Sequence, residues 1–357
     1  MPLTVLNLGD GAAWDAALER CRPYDFYHTH GYHALAAARG EGEPRLFVFE
    51  DGADVVCLPL LLRPIPVSLV SADGNGPLWD TSSVYGYGGP VSSPAGVSPG
   101  AREAFGAALT TWLREAGVVA LFSRLHPLLE QRHLLAGLGD VADVGTTVSM
   151  DLTQPPEVQR AQYRKNHKEG VNRLRRQGVT VEEFTDADSL ETFSRIYTET
   201  MTRVGAAAHY FFDLDYFRQL ATGLGEKFHL FLAKQDGETL AGGVFVDCCG
   251  ILQYHLGGTR DAHLKVAPMK LVFDQLRLWG TERGLSVFHL GGGNGGSSTD
   301  SLFAFKSGFS DRRHVFSLWR WVVAPEKYDV LMRRRDAELE AAGTPERGRG
   351  FFPAYRR

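Results

Sequence analysis

The stretch Trp112-Leu-Arg-Glu-Ala-Gly-Val-Val-Ala-Leu-Phe122 has a counterpart late in the chain, Trp279-Gly-Thr-Glu-Arg-Gly-Leu-Ser-Val-Phe-His289. Tryptophan, glutamate and glycine recur at the same offsets. Each copy reads as a helix that closes at a glycine suited to the left-handed position, Gly117 or Gly284, followed by an apolar run suited to a buried strand. Upstream, Leu46-Phe-Val-Phe-Glu-Asp51-Gly52 and Leu230-Phe-Leu-Ala-Lys-Gln-Asp236-Gly237 each present an apolar strand ending in Asp-Gly, a hairpin signal. A second apolar run follows each, Val55–Leu62 and Gly242–Val246. Both halves therefore read helix, hairpin, long loop, helix, glycine, strand. A meander followed by a crossover helix and another strand is an α/β (α+β) plan with a mixed, twisted sheet flanked by helices.

At 357 residues the chain is long for a single core and favours two domains. The Pro-Pro break in Met150-Asp-Leu-Thr-Gln-Pro-Pro156 sets the boundary near 149–156. The expected division is a first domain over 1–150, a second over 151–325, and a C-terminal helix and tail over 326–357. Composition is that of a globular protein, 44% hydrophobic and 22% charged. A net charge of −4 argues against a surface that coats nucleic acid or membrane throughout, and leaves room for a local basic patch. The four cysteines form no C-x-x-C pair and read as reduced core residues. Asp10, Asp15 and Glu19 occupy the start, where a signal peptide needs basic and apolar residues. The longest apolar run, Val55–Leu62, is far short of the ~20 residues that span a bilayer. A soluble, cytoplasmic protein without stable membrane insertion is expected.

Within Arg160–Arg176, Tyr163, His167, Val171 and Leu174 fall on one helical stripe, while Arg164, Lys165, Lys168, Arg175 and Arg176 crowd the opposite arc. Only Glu169 offsets them. A solvated face normally mixes signs, so a single-sign arc points to a polyanion, with an ordinary solvated helix as the plain alternative. The run His289-Leu-Gly-Gly-Gly-Asn-Gly-Gly296 contains G-x-G-x-x-G, yet it lies late in the chain and opens no βαβ unit, so it reads as a loop bordering a site. Beyond it, Asp300-Ser-Leu-Phe-Ala-Phe-Lys306-Ser-Gly-Phe-Ser310 sets Lys306 among three phenylalanines, either snorkelling or binding an anion. His28-Thr-His-Gly-Tyr-His33 has metal-like spacing without accompanying Cys or carboxylate, and reads as a helix start. No G-x-S-x-G, H-E-x-x-H or Walker A sequence occurs. No metal and no cofactor is expected.

Together these pieces resemble the FemABX-like branch of the GNAT superfamily, whose members transfer amino acids from aminoacyl-tRNA to peptidoglycan precursors. The resemblance rests on Tyr85-Gly-Tyr-Gly-Gly-Pro90, the basic helix Tyr163–Gly178, Met201-Thr-Arg203 before Tyr210-Phe-Phe, and Gly291-Gly-Gly with Asp300–Ser310. It spans about residues 20–325 and implies two tandem GNAT-like domains. Gly257–Pro268 lacks the glycine spacing with which acetyl-CoA enzymes cradle a pyrophosphate, which favours another acyl donor. No long helical-hairpin arm interrupts the chain, so the likeness is to the armless members.

The resemblance implies an aminoacyltransferase that joins an amino acid from aminoacyl-tRNA to an amine of a small, peptide-like acceptor, possibly nucleotide-linked. Cell-wall, antibiotic and polysaccharide acceptors all remain open. Lys306 would contact the oxyanion or terminal phosphate, and Tyr254 would touch the acceptor or shuttle a proton, strand packing being its plain alternative. Arg203, Tyr210, His255, Phe305 and Asp300 would bind substrate. Arg164, Lys165, Lys168, Arg175 and Arg176 would hold the tRNA acceptor stem by its backbone. Two other readings stand beside this one: an N-acyltransferase drawing on acyl-CoA or an acyl-carrier protein, and a non-catalytic binding protein on the same fold.

Overall fold

The computed structural model describes residues 3–70, 77–293, 300–343 and 351–356. The chain begins β1 (Leu3–Leu6), α1 (Gly11–Glu19), α2 (His30–Ala38), β2 (Glu43–Asp51), β3 (Asp54–Pro64), β4 (Trp79–Ser82), β5 (Val91–Ser92), α3 (Pro99–Glu115), β6 (Val118–Arg124) and β7 (Asp140–Asp151). It continues α4 (Pro156–Ala161), α5 (Lys165–Arg176), β8 (Thr180–Phe184), α6 (Ala187–Arg203), α7 (Leu214–Leu224), β9 (Phe228–Gln235), β10 (Glu238–Cys248) and β11 (Ile251–Thr259). It ends α8 (Met269–Glu282), β12 (Val287–Gly291), α9 (Ser301–Lys306), β13 (Arg313–Val322) and α10 (Pro325–Ala341). Among the described residues no helix is long and apolar enough to cross a membrane.

Two compact units result, one of Met1–Val144 with Phe316–Arg357 and one of Gly145–Val315. The break falls inside β7 rather than at the Pro155-Pro156 step, and the C-terminal residues join the first unit instead of standing apart. Strand pairing is the reason. Leu318–Val322 of β13 pair antiparallel with Ala120–Arg124 of β6. On α10, Leu331 is buried with Tyr355 against Ile65, Leu69 and Val119.

In the first unit the sheet runs β1-β2-β3-β4-β6-β13, and every neighbour is antiparallel except β4 and β6. In the second it runs β8-β9-β10-β11-β12-β7, again antiparallel except for β11 and β12. The two orders match position for position. A crossover helix, α3 or α8, supplies the parallel step in each. Each sheet is completed by a strand from beyond its own crossover unit, β13 in the first and β7 in the second.

The sequence repeat sits at equivalent places in these sheets. Trp112 on α3 packs edge-on to Phe47 of β2, and Trp279 on α8 packs edge-on to Phe231 of β9, with centroids 4.8 and 5.6 Å apart. Gly117 and Gly284 take φ of 74° and 70°, the left-handed conformation that ends a helix without a Cβ clash. On α3, Phe105, Leu109 and Leu113 form a fully buried stripe at every fourth residue, each contributing about 2 kcal/mol of apolar burial. All four cysteines are free thiols; Cys21 and Cys57 are buried with their sulfurs 3.6 Å apart.

Candidate active site

Lys306 ends α9 and is buried, and its Nζ donates to the carbonyl of Gly292 at 2.7 Å. The ammonium also lies 5.3 Å from the centroid of the Tyr254 ring. Burial pushes its pKa down to about 7, and the nearby Asp300 carboxylate opposes that shift. Asp300 caps α9, its Oδ1 accepting from the amides of Leu302 and Phe303 at 2.8 and 3.0 Å. Of the glycine run only Gly291–Gly293 fall within the described residues; Asn294, Gly295 and Gly296 lie outside them.

A buried histidine fixes α9 from below. His167, on the apolar stripe of α5, donates from Nε2 to the Phe305 carbonyl at 2.9 Å, and its ring packs on Phe305 and Phe309 at 5.5 and 4.6 Å. A Cβ on Gly308 would come within 2.2 Å of that ring, so the chain passes here only as glycine. Burial first, and the Lys270 and Arg164 charges after it, lower His167 to about 4, so the ring is neutral. The sequence marks the residue as the one histidine on a buried stripe, yet its role required knowing what faced it.

Tyr254, on β11, packs between Phe245 and Phe273 with centroids at 5.5 and 4.8 Å. Burial raises its phenol, which therefore remains an O–H donor at neutral pH. The ring lies back along the strand over Gly257, where a Cβ would meet the hydroxyl at 2.3 Å. Pairing with β10 shifts register here: Val244 opposes Leu256 and Phe245 opposes Tyr254, leaving His255 as the extra residue of a bulge. His255 faces away from Tyr254, its Nε2 bonded to the Tyr216 hydroxyl of α7 at 2.9 Å, with burial lowering its pKa to about 3. Lys306, Tyr254, Phe305 and Asp300 thus gather at α9, and His255 does not join them.

Arg203 and Tyr210 lie elsewhere again, Arg203 as the last residue of α6 and Tyr210 beyond it. Arg203 donates to the Thr259 carbonyl at 3.0 Å and pairs with Asp261. The Tyr210 carbonyl accepts from the Tyr197 hydroxyl at 2.7 Å.

The basic stretch is two helices rather than one. The chain breaks after α4 because the Arg164 amide donates to the Gly308 carbonyl at 2.8 Å, which holds Arg164 extended at the start of α5. Tyr163, His167, Val171 and Leu174 are all buried, as the stripe requires. Lys165 is 90% exposed and lies 3.9 Å from Glu169. Lys168 donates to the Ala161 carbonyl at 2.8 Å, and Arg164 reaches the Ala304 carbonyl at 3.4 Å. Arg175 departs from the solvated arc: its guanidinium is 2.7 Å from the buried carboxylate of Asp274 on α8. Arg176 remains exposed.

The histidines with metal-like spacing do not converge. His28, His30 and His33 each turn a ring nitrogen to a different backbone carbonyl, those of Asp25, Leu8 and Thr29, at 3.0, 2.9 and 3.0 Å.

Residues 161–307 match the family described as acetyltransferase (GNAT) domain, a span that holds Lys306, Tyr254, Asp300 and α5. A UDP-N-acetylmuramoylpentapeptide-lysine N(6)-alanyltransferase from Weissella viridescens is 23% identical over 348 residues, covering 93% of this chain and all of the relative. The crystal structure of FemX aligns with a TM-score of 0.69 at 15% identity, over 92% of this chain and 99% of that one. The structure of L-PGS from Bacillus licheniformis aligns at 0.55 and 16% identity, over 91% and 96% of the two chains. At these identities the structural likeness shows the fold.

Proposed function

We propose, for a chain that belongs to the FemABX-like branch of the GNAT acyltransferase superfamily, that it transfers an amino acid from aminoacyl-tRNA to a primary amine on a peptide-like, nucleotide-linked acceptor. The observation that carries this reading is the buried lysine at α9, held on the Gly292 carbonyl above Tyr254 in the unit matching the acyltransferase family. The Weissella viridescens relative is named for alanyl transfer to a lysine N6 of a UDP-linked pentapeptide, which supports an acceptor of that class.

In this reaction the acceptor nitrogen attacks the ester carbonyl. A C–N bond forms, the ester C–O bond breaks, and the acceptor's proton leaves with the 3′-hydroxyl of the tRNA. An aminoacyl ester is already activated, so the protein's task is to position two substrates and stabilise the tetrahedral oxyanion. Lys306, as an ammonium, supplies a charged donor to that oxygen in a site with little water. Tyr254 offers a neutral O–H to the acceptor side. Asp300 sets the start of α9 and biases Lys306 toward its charged form. Phe305 walls the site, Arg203 and Tyr210 contact the acceptor's far end, and His255 acts through the placement of β11. The cations of α5 hold the RNA by its phosphates.

The test is transfer of a labelled amino acid to a lysine-containing precursor peptide with synthetase, tRNA and the full chain. The reading expects transfer that ribonuclease abolishes. Transfer that survives ribonuclease, or that proceeds with acyl-CoA alone, overturns it.

A further inference from the structure

The sharpest unassigned feature is a cavity of about 460 Å³ on α5, lined by Glu169, Asn172, Arg175 and Arg176. Behind it lies Asp274, completely buried. Its Oδ1 accepts from the Tyr163 hydroxyl and from Arg277, both at 3.0 Å, while its Oδ2 accepts from Arg160 at 3.2 Å and Arg175 at 2.7 Å. One carboxylate thus faces three guanidiniums, leaving an excess of two positive charges. Arg277 is spent internally, since it also donates to Tyr163, the Pro156 carbonyl and Gln159. Arg175 lines the cavity with its side chain 42% exposed, and Arg160, 25% exposed, reaches the cavity wall through Asn172.

Two guanidiniums that converge on a single oxygen repel each other, and a fixed pair of forks is the arrangement that an oxyanion with several acceptor oxygens bridges best. Arg160 also donates to Asn172 Oδ1 at 2.7 Å, so the amide N–H₂ of Asn172 is the function it offers the cavity wall. Arg176 adds charge at the rim, and Glu169, the acidic member, pairs with Lys165. We propose that this cavity is a subsite for a backbone phosphate of the donor RNA, organised by Asp274; the inference rests on the tRNA-dependent reading above. A polynucleotide suits it better than a free anion because Lys165, Lys168 and Arg176 continue the charge along α5, about 16 Å from end to end. It also divides the basic helix by role: Arg175, held on Asp274, and Arg176 line the cavity, and the lysines add general attraction.

The experiment measures binding of a labelled acceptor-stem RNA hairpin to the full chain across a salt series. Arg175→Gln and Arg176→Gln are each expected to weaken binding about 5- to 20-fold and to lower the salt slope by about 1, with Arg175→Lys intermediate because it keeps charge without the fork. Arg195→Gln, on the exposed face of α6 where Arg195 pairs with Glu191, leaves binding unchanged. Thermal unfolding of each variant checks that Asp274, still held by Arg277, has not undone the fold. RNA binding equal to wild type in both glutamine variants overturns the inference. So does inorganic phosphate displacing the RNA at micromolar concentration, which assigns the cavity to a small anion. Because ribonuclease sensitivity of transfer is measured on the wild type, a failure of the subsite and a failure of tRNA dependence give different results.

Discussion

Each unit buries one aspartate among arginines and a tyrosine hydroxyl, and the two are used differently. In the first unit Asp80 accepts from Arg63 at 2.7 Å, from the Tyr355 hydroxyl at 3.1 Å, and from Arg356. Arg356 spends its remaining donors on the Arg63 and Pro64 carbonyls, so this hub is closed and ties the chain's end to β3 and β4. Asp274 in the second unit holds three guanidiniums, one of which, Arg175, lines a cavity. The same chemistry serves as a staple in one place and as a base plate for cations in the other. The buried lysine follows the same division: Lys306, with its pKa lowered to about 7, belongs to the second unit. The two sheets are alike in topology; what separates the units is whether buried charge is fully paired.

The largest effect that would break this comparison is on stability. Asp80→Ala strands the Arg63 and Arg356 cations and should cost about 3–5 kcal/mol in denaturant unfolding, while the folded fraction keeps its specific activity. A loss of activity per folded molecule would give Asp80 a part in the chemistry. The converse variant, Lys306→Ala, removes a charge that burial already disfavours. Stability should hardly change, and kcat should fall about 100- to 1,000-fold, as for loss of an oxyanion donor. Next comes His167, which acts only through α9. His167→Ala should lower kcat/KM about 10-fold, with His167→Gln recovering part of it because glutamine can still donate to the Phe305 carbonyl.

The smallest effect concerns His229, which bridges Glu183 at 2.6 Å and Asp247 at 3.1 Å, with Arg283 on the far side of Glu183. Burial pushes its pKa down, but the hydrogen bonds and charges of Asp247 and Glu183 outweigh burial and raise it. A group raised on folding adds stability that is complete below its unfolded value, about 6.5, and is lost as pH climbs through the folded value. His229→Gln should therefore flatten the decline in unfolding free energy above neutral pH. An unchanged decline would show that the bridge is not what the pH dependence reports.

The mixed sheets and the repeat were legible because they rest on local signals: Trp-Glu-Gly, the Asp-Gly turns and the apolar runs beside them. The exchange of final strands was not, since β7 and β13 carry no mark of which sheet they will complete. Arg175 shows the limit of helical periodicity. Its position lies on the solvated arc, but its side chain is long enough to reach Asp274, and in Phe273-Asp-Gln-Leu-Arg277 that aspartate reads as ordinary helix surface. The break before α5 depends on Gly308, far along the chain, and no local breaker marks it. At the site, Lys306, Phe305 and Asp300 stood out because their motif is contiguous. His255 is the extra residue of a bulge that nothing in Leu252-Gln-Tyr-His255 marks, so the strand's alternation does not reveal which face it takes. His167 could be flagged as unusual but not assigned.

The central claim is that the ammonium of Lys306 serves aminoacyl transfer in the second unit. Its most direct test is the pH dependence of single-turnover transfer from preformed aminoacyl-tRNA by wild type and Lys306→Arg. The account predicts a wild-type rate that declines above about pH 7 as the ammonium is lost, and a slower arginine variant without that decline, because guanidinium stays charged. Superimposable profiles with equal amplitudes would contradict it.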